Sequence, residues 1–322
     1  MAFFSVVIPT FNRCDLLTKT LESIFAQNCT DFEVIVIDDG STDGTTEYVR
    51  GLGNKVRLFE QTNRGAGPAR NLGATHANGK YLAFLDSDDL WFPWTLEVYK
   101  EVIEQNHEPS FIAGKPFIFS DTRQLDEVVT TNAVRTNEFI DYFASSAEWR
   151  WWGASSFVIR RDAFESVGGF TEEWVNDEDT DLTLRMGIAA GFVQIVSPVT
   201  FAFREHAASV SKDHTRLLAG TRARVRAEQG GHYPGGRARA RERRRILTRA
   251  IRPVTISCLQ RELWPEAWKL YLSTFWWNAS LGRFKYLTAF PAMALVYCLR
   301  TLWSPREEAK TPVQKRHKSA GP

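Results

Sequence analysis

The chain has 322 residues, 43% of them hydrophobic, 13% aromatic and 24% charged, which suits one large core with an appendage or two modest domains and excludes a disordered composition. Its four scattered cysteines, Cys14, Cys29, Cys258 and Cys298, form no CxxC and predict free thiols of a reducing compartment rather than a disulfide framework or a metal cluster. The net charge of +2 hides an asymmetry: residues 222–252 hold eleven arginines against Glu228 and Glu242, an excess of nine, so the rest carries a net charge of −7; this predicts a localised electrostatic partner.

MAFFSVVIPT has no basic leader and runs straight into a strand pattern, so no signal peptide is expected. FSVVIP (4–9) is a β-branched apolar run. CDLLTKTLESIFAQ (14–27) places Leu17, Leu21, Ile24 and Phe25 at helical spacing. FEVIVID (32–38) predicts a second buried strand, followed by the turn-rich DDGSTDG, a short helix over 45–50 and a strand KVRLFE (55–60). A helix over 67–77 and a strand YLAFL (81–85) close the series. Strands alternating with helices predict an α/β fold with a parallel sheet between helices. Ligands of such sheets bind at the carboxyl ends of the strands, where IPTFNR, DDGSTDG and DSDD all fall.

Beyond Pro93 the pattern loosens. FIAGKPFIF (111–119), SSFVIRR (155–161), FVQIVS and VTFAFRE (192–205) read as strands, and TDLTLRMGIAA (180–190) as a helix. The expected organisation is a catalytic domain over 1–218, Arg-rich linker or helices over 219–253, a Trp-rich amphipathic helical region over 254–303 and a disordered tail over 304–322. QGGHYPGG (229–236) interrupts the Arg-rich stretch as a flexible loop. In the Trp-rich region Trp264, Trp268, Tyr271, Leu272, Phe275 and Trp276 recur at helical spacing. YLTAFPAMALVYCL (286–299), broken by Pro291, is too short to span a bilayer, which needs about 20 residues, but suits an interfacial helix.

A dinucleotide fold would place GxGxxG after its first strand; PTFNR stands there instead, and Gly51-Leu52-Gly53 follows a helix. No P-loop is present. In FLDSDDLW (84–91), Asp86, Asp88 and Asp89 crowd a strand end and repel one another. Hard carboxylate oxygens in that pattern suit Mg²⁺ or Mn²⁺, which in turn bridge diphosphate oxygens. The competing reading is a capped turn with solvated aspartates.

SVVIPTFNR, VIVIDDGSTDGT, NRGAGPARNLG, YLAFLDSDDLW, VGGF and EDTDLTLR, in this order over roughly residues 3–212, resemble glycosyltransferase family 2, the inverting transferases of nucleotide-diphosphate sugars. The resemblance implies a GT-A fold, a single Rossmann-like, mostly parallel sheet with flanking helices, here with an α-helical C-terminal extension. It implies that Pro9 and Thr10 line the nucleotide pocket and that Asp39 contacts a pyrimidine base. Arg70 then answers the diphosphate, unless it is an ordinary surface arginine. Asp86 sits by the ribose and metal shell, Asp88 ligates Mg²⁺ or Mn²⁺, and Asp89 supports or caps. Within Asn176–Leu182 it makes Asp179 the general base, with Asp177 as the rival assignment. In Arg204-Glu205-His206 it brings His206 to the metal or diphosphate, against a structural histidine. Trp149, Trp151, Trp152 and Trp174 are candidates for stacking on an acceptor sugar or for core packing.

The function expected is inverting transfer from a nucleotide-diphosphate sugar, a UDP-sugar by preference, to a hydroxyl of a glycan or lipid-linked glycan in bacterial surface polysaccharide synthesis. The expected partners are that donor, that acceptor and an anionic membrane surface, with no nucleic acid. The expected place of work is the cytoplasmic face of the inner membrane, peripherally bound. The alternatives are a non-catalytic membrane-surface or polyanion binder and a nucleotidyltransferase on a related fold.

Overall fold

The computed structural model describes residues 2–128, 133–148, 153–173, 176–205 and 213–303. His206, Ser209, Ser211, the four tryptophans 149, 151, 152 and 174, and the tail from 304 lie outside the described residues.

In chain order the elements are β1 (Phe4–Thr10), α1 (Cys14–Phe25), β2 (Phe32–Asp38), α2 (Thr45–Gly51), β3 (Arg57–Glu60), α3 (Ala66–Thr75) and β4 (Tyr81–Phe84). There follow β5 (Leu90–Trp91), α4 (Thr95–Gln105), β6 (Phe111–Ala113), β7 (Pro116–Phe119), β8 (Arg135–Phe139), β9 (Phe157–Arg160), α5 (Arg161–Ser166) and α6 (Glu178–Arg185). The chain continues through β10 (Phe192–Ser197), β11 (Phe201–Arg204), α7 (His214–Gln229), α8 (Ala240–Gln260), α9 (Trp264–Ser280) and α10 (Phe284–Trp303).

The large sheet has the order β3-β2-β1-β4-β9-β6-β10-β8, and a small one runs β5-β11-β7. Strands β3, β2, β1 and β4 are parallel neighbours. The other half is mixed, because β9 pairs antiparallel with both β4 and β6, and β8 with β10. Every residue of β1 is buried, as expected of a strand covered on both faces. Glycine lets α3 settle directly on β1: a Cβ at Gly73 would lie 2.4 Å from Val7 Cγ1. The register Thr10 to Asp38 and Val7 to Phe84 brings the loops after β1, β2 and β4 to one sheet edge. That edge forms one wall of the site.

FIAGKPFIF is not one strand. β6 joins the large sheet and β7 the small one, and the chain turns at Gly114. A Cβ there would fall 2.1 Å from the Tyr99 hydroxyl and 2.2 Å from Thr200 Oγ1, so the crossing admits only glycine.

Contacts divide the chain into two compact units, Met1–Val254 and Thr255–Pro322. The expected boundary at 218/219 is not where the contacts thin, and the stretch expected as an Arg-rich linker lies on the first unit's side. Its arginines are largely spent within that unit. Arg243 Nε and Arg244 Nε reach the two oxygens of buried Glu228 at 2.7 and 3.1 Å, and Arg239 forks onto Asp141 with two bonds of 2.7 Å. Arg249 donates to the Ser146 carbonyl at 3.0 Å. The guanidinium fork can meet a carboxylate twice or several carbonyls at once, which makes arginine suited to such half-buried seams.

In the second unit α9 buries Ala267, Leu270, Tyr271, Thr274 and Trp277. Trp268, Leu272 and Trp276, four residues apart, form a separate stripe that is 37%, 62% and 77% exposed. Helix α10 runs through Pro291 without the expected break. A proline there supplies no N–H to the Leu287 carbonyl; the Tyr271 hydroxyl donates to that carbonyl instead, at 2.9 Å. No described helix is long and apolar enough to cross a membrane.

Candidate active site

A cavity of about 770 Å³ opens at the carboxyl edge of β1, β2 and β4. Pro9, Thr10, Asp39, Arg70, Asp86, Asp88 and Asp179 all line it. Of the residues singled out for a site, His206 and the acceptor-side tryptophans 149, 151, 152 and 174 lie outside the described residues.

The loops after β1 and β2 are tied together by the Asp39 N–H, which donates to the Thr10 carbonyl at 2.8 Å. Thr10 Oγ1 is buried with no hydrogen-bond partner among the described residues, an unusual state for a hydroxyl unless a ligand completes it. The Asp39 carboxylate accepts from Gln61 Nε2 at 2.7 Å and from the backbone N–H groups of Arg64 and Gly65, each at 2.8 Å. It therefore shapes the 63–65 loop as well as facing the cavity. Asp38 serves the turn: it accepts from the Ser41 N–H at 2.9 Å and from the Thr46 hydroxyl.

Arg70, on α3, is only 3% exposed and is no surface arginine. Nη2 meets Asp86 Oδ1 at 2.5 Å and Nη1 meets Glu178 Oε1 at 2.6 Å. Burial opposes its charge, but the two carboxylates outweigh burial and hold its pKa above the ordinary arginine value. The residue thus welds the DSDD loop to the EDTD helix.

Oxygens of Asp86, Asp88 and Asp89 lie within 4.8 Å of one another, but the three differ. Asp89 is buried; it accepts from Ser155 Oγ at 2.6 Å and from the Arg204 N–H at 3.0 Å. Burial, then the charges of Asp88 and Asp86, push its pKa well above the usual carboxylate range. Asp88 pairs with Arg13, and its carbonyl accepts from Arg204 Nε at 2.9 Å. Asp86 and Asp88 line the cavity, whereas Asp89 does not. Two hard carboxylates beside room for phosphate oxygens and water fit a small divalent cation, which binds through few protein ligands. Asp89, sealed by its own partners, fits a supporting part.

In the second acidic cluster each of three carboxylates meets an arginine. Asp177 Oδ2 lies 2.5 Å from Arg224 Nη2, Glu178 faces Arg70, and Asp181 accepts from Arg185 Nε at 2.8 Å. Asp179 is held instead by the Thr180 N–H at 2.6 Å and faces the cavity. Burial and then the charges of Asp177 and Glu178 push its pKa up to about 8. A carboxylate of that proton affinity can take a proton from a hydroxyl near neutral pH, which the usual carboxylate does poorly.

Three contributors escaped the sequence reading. Arg13 stood unassigned within the PTFNR loop, where a basic residue facing DSDD was a usable signal. Ser155 carries no sequence signal. Arg224 was one of eleven arginines, and only Glu228 four residues on hinted that this face of α7 is internal.

Residues 5–168 match the family described as glycosyl transferase family 2. The chain belongs to that family. A Rickettsia felis glycosyltransferase of uncharacterised role is 40% identical over 120 residues, 37% of this chain and 18% of that protein. The chain thus spans under a fifth of the length of the first relatives it matches. The amylovoran biosynthesis glycosyltransferase AmsB of Erwinia amylovora is 30% identical over 208 residues, covering 61% of this chain and 68% of AmsB. Among solved structures, TarS of S. aureus in complex with UDP-GlcNAc superposes with a TM-score of 0.62 at 20% identity, covering 78% of this chain and 72% of TarS. The mannosyltransferase of Pyrobaculum calidifontis, solved with GDP-Man and Mn²⁺, gives 0.50 at 20% identity over 94% of this chain and 88% of that one. The fold is therefore the GT-A arrangement, as the sequence motifs implied.

Proposed function

We propose that this protein transfers a sugar from a nucleotide-diphosphate donor, a UDP-sugar by preference, to a hydroxyl of a glycan or lipid-linked glycan, with inversion. The observation that carries this reading is one cavity lined by Asp86 and Asp88 together with Asp179, whose pKa is pushed up to about 8. Pro9 and Thr10 hold the nucleotide, and Asp39 accepts from an N–H of its base. Asp86 and Asp88 would hold Mg²⁺ or Mn²⁺, which when bound would supply neutralisation of the leaving diphosphate. Asp179 accepts the proton of the acceptor hydroxyl as its oxygen bonds to the anomeric carbon and the bond to the diphosphate breaks; a single displacement inverts that carbon. Arg70 keeps the two walls in register through Asp86 and Glu178. AmsB, a relative in amylovoran biosynthesis, supports a polysaccharide acceptor.

The test is release of nucleoside diphosphate from UDP-GlcNAc, UDP-glucose, UDP-galactose and GDP-mannose with Mn²⁺ present. Turnover of at least one donor, lost by about 10²-fold or more in Asp179→Asn with UDP binding retained, is expected. No turnover of any donor, or a fully active Asp179→Asn, would refute the reading.

We also propose that the second unit binds the surface of an anionic membrane on the cytoplasmic side. Its exposed Trp268–Leu272–Trp276 stripe and exposed Phe284, Leu295 and Leu299 suit shallow insertion, and residues 255–303 hold five basic groups against two acidic ones. The arginines of 222–252 add less than their number suggests, because many are already paired. Full-length protein should cosediment with phosphatidylglycerol vesicles at low salt, less so at high salt, and less so after Leu272→Ser/Trp276→Ser. Equal binding to neutral phosphatidylcholine would defeat the electrostatic part.

A further inference from the structure

The turn that presents Asp179 is held in an uncommon conformation. Asp177, immediately before α6, has φ of 74°, in the left-handed region that a non-glycine residue adopts only at a cost. Something must over-determine it. Arg224, on α7 and 2% exposed, meets this residue twice: Nη1 donates to the Asp177 carbonyl at 2.8 Å, and Nη2 lies 2.5 Å from its Oδ2. Asp177 Oδ1 in turn accepts from Thr180 Oγ1 at 2.9 Å, one residue beyond Asp179. Helix α7 is itself anchored four residues on, where buried Glu228 receives Arg243 and Arg244. We infer that Arg224 is a positioning residue for Asp179: by holding both the carboxylate and the carbonyl of Asp177, it fixes the turn from which α6 presents the base. The Arg-rich helices then belong to the catalytic apparatus as its foundation, whatever else they touch. This inference rests on the reading of Asp179 as base.

Charge follows the same geometry. The groups facing Asp179 are Asp177 and Glu178 on its own turn and Arg70 from α3; Arg216 from α7, Asp86, Asp88 and Glu173 line the same cavity. Arg224 offsets the charge of Asp177, one of the two carboxylates that raise the proton affinity of Asp179. Removing Asp177's charge lowers that affinity; removing the arginine raises it.

The test is titration of the Asp179 carboxyl in full-length protein labelled with ¹³C-carboxyl aspartate, the resonance assigned by its loss in Asp179→Asn. The midpoint should fall by about one pH unit in Asp177→Asn and rise in Arg224→Gln, with Arg224→Lys between wild type and Arg224→Gln. The acid limb of the kcat/KM profile for the donor turned over should move the same way. A purely structural arginine would change amount and stability but not these midpoints. Asn tolerates the left-handed turn and keeps acceptors for Arg224, so Asp177→Asn decides the matter even if Arg224→Gln does not fold. Unchanged midpoints in Asp177→Asn and Arg224→Lys would overturn the inference. Full transfer by Asp179→Asn would instead sink the base reading, and the titration would still judge Arg224.

Discussion

The two acidic clusters begin from the same problem and end in opposite states. In each, several carboxylates crowd the end of a secondary element, and in each one carboxylate is pushed far above its usual proton affinity, Asp89 in the first and Asp179 in the second. Burial is the first cause in both. What separates them is access and partners. Asp89 is walled from the cavity and saturated by Ser155 and the Arg204 N–H. Asp179 faces the cavity and accepts from the Thr180 N–H. A raised pKa is therefore not itself a mark of function; the open face is.

The largest expected effect is on transfer. Asp179→Asn should lose about 10²-fold or more in kcat, while Asp177→Asn, its neighbour and rival, should keep most of it. A dead Asp177→Asn beside a live Asp179→Asn would reverse the assignment within the second cluster. In the first cluster Asp88→Asn should abolish the Mn²⁺-dependent part of UDP binding, read by calorimetry with and without the ion, and leave the fold intact. Equal UDP affinity for both proteins at saturating Mn²⁺ would remove Asp88 from the metal.

The first half of this contrast was legible in the sequence, and the second was not. Continuous apolar runs marked β1, β2 and β4, and the loops that follow them had to meet at one edge because the strands are parallel neighbours. The order of motifs singled out Asp39, Asp86, Asp88 and Asp179, and all four face the one cavity. Composition could not say which arginine meets which acid. Arg224 reaches Asp177 across 47 residues, and Arg13 reaches Asp88 across a longer separation still. Run length also misjudged FIAGKPFIF, where the crossing at Gly114 depends on Tyr99 and Thr200. Proline at 291 read as a break because its compensation comes from Tyr271 on another helix.

A smaller effect should appear in stability. Asp89→Ala leaves the Arg204 N–H and the Ser155 hydroxyl without their acceptor in a buried place, at a cost of about 2 kcal/mol. Denaturant unfolding with a midpoint equal to wild type would show that Asp89 is not the seal its contacts describe.

The smallest effect has the opposite sign. The folded protein holds the Asp179 proton to about pH 8, whereas an unfolded aspartate releases it near pH 4. A raised carboxylate favours folding fully below the unfolded value, and that contribution is lost as pH rises through the folded one. Wild type therefore loses stability increasingly, from about pH 4 to pH 8, by keeping this aspartate buried at the cavity. Asparagine carries no such charge, and its carbonyl can still accept the Thr180 N–H. Asp179→Asn should accordingly be more stable than wild type, by on the order of 1 kcal/mol at neutral pH, with a margin that widens from pH 5 to pH 8. The measurement is the urea midpoint at several pH values. A margin for Asp179→Asn that is flat or shrinks with pH would mean that its proton affinity is ordinary, and the distinction between a sealed and an open buried acid would lose its physical basis.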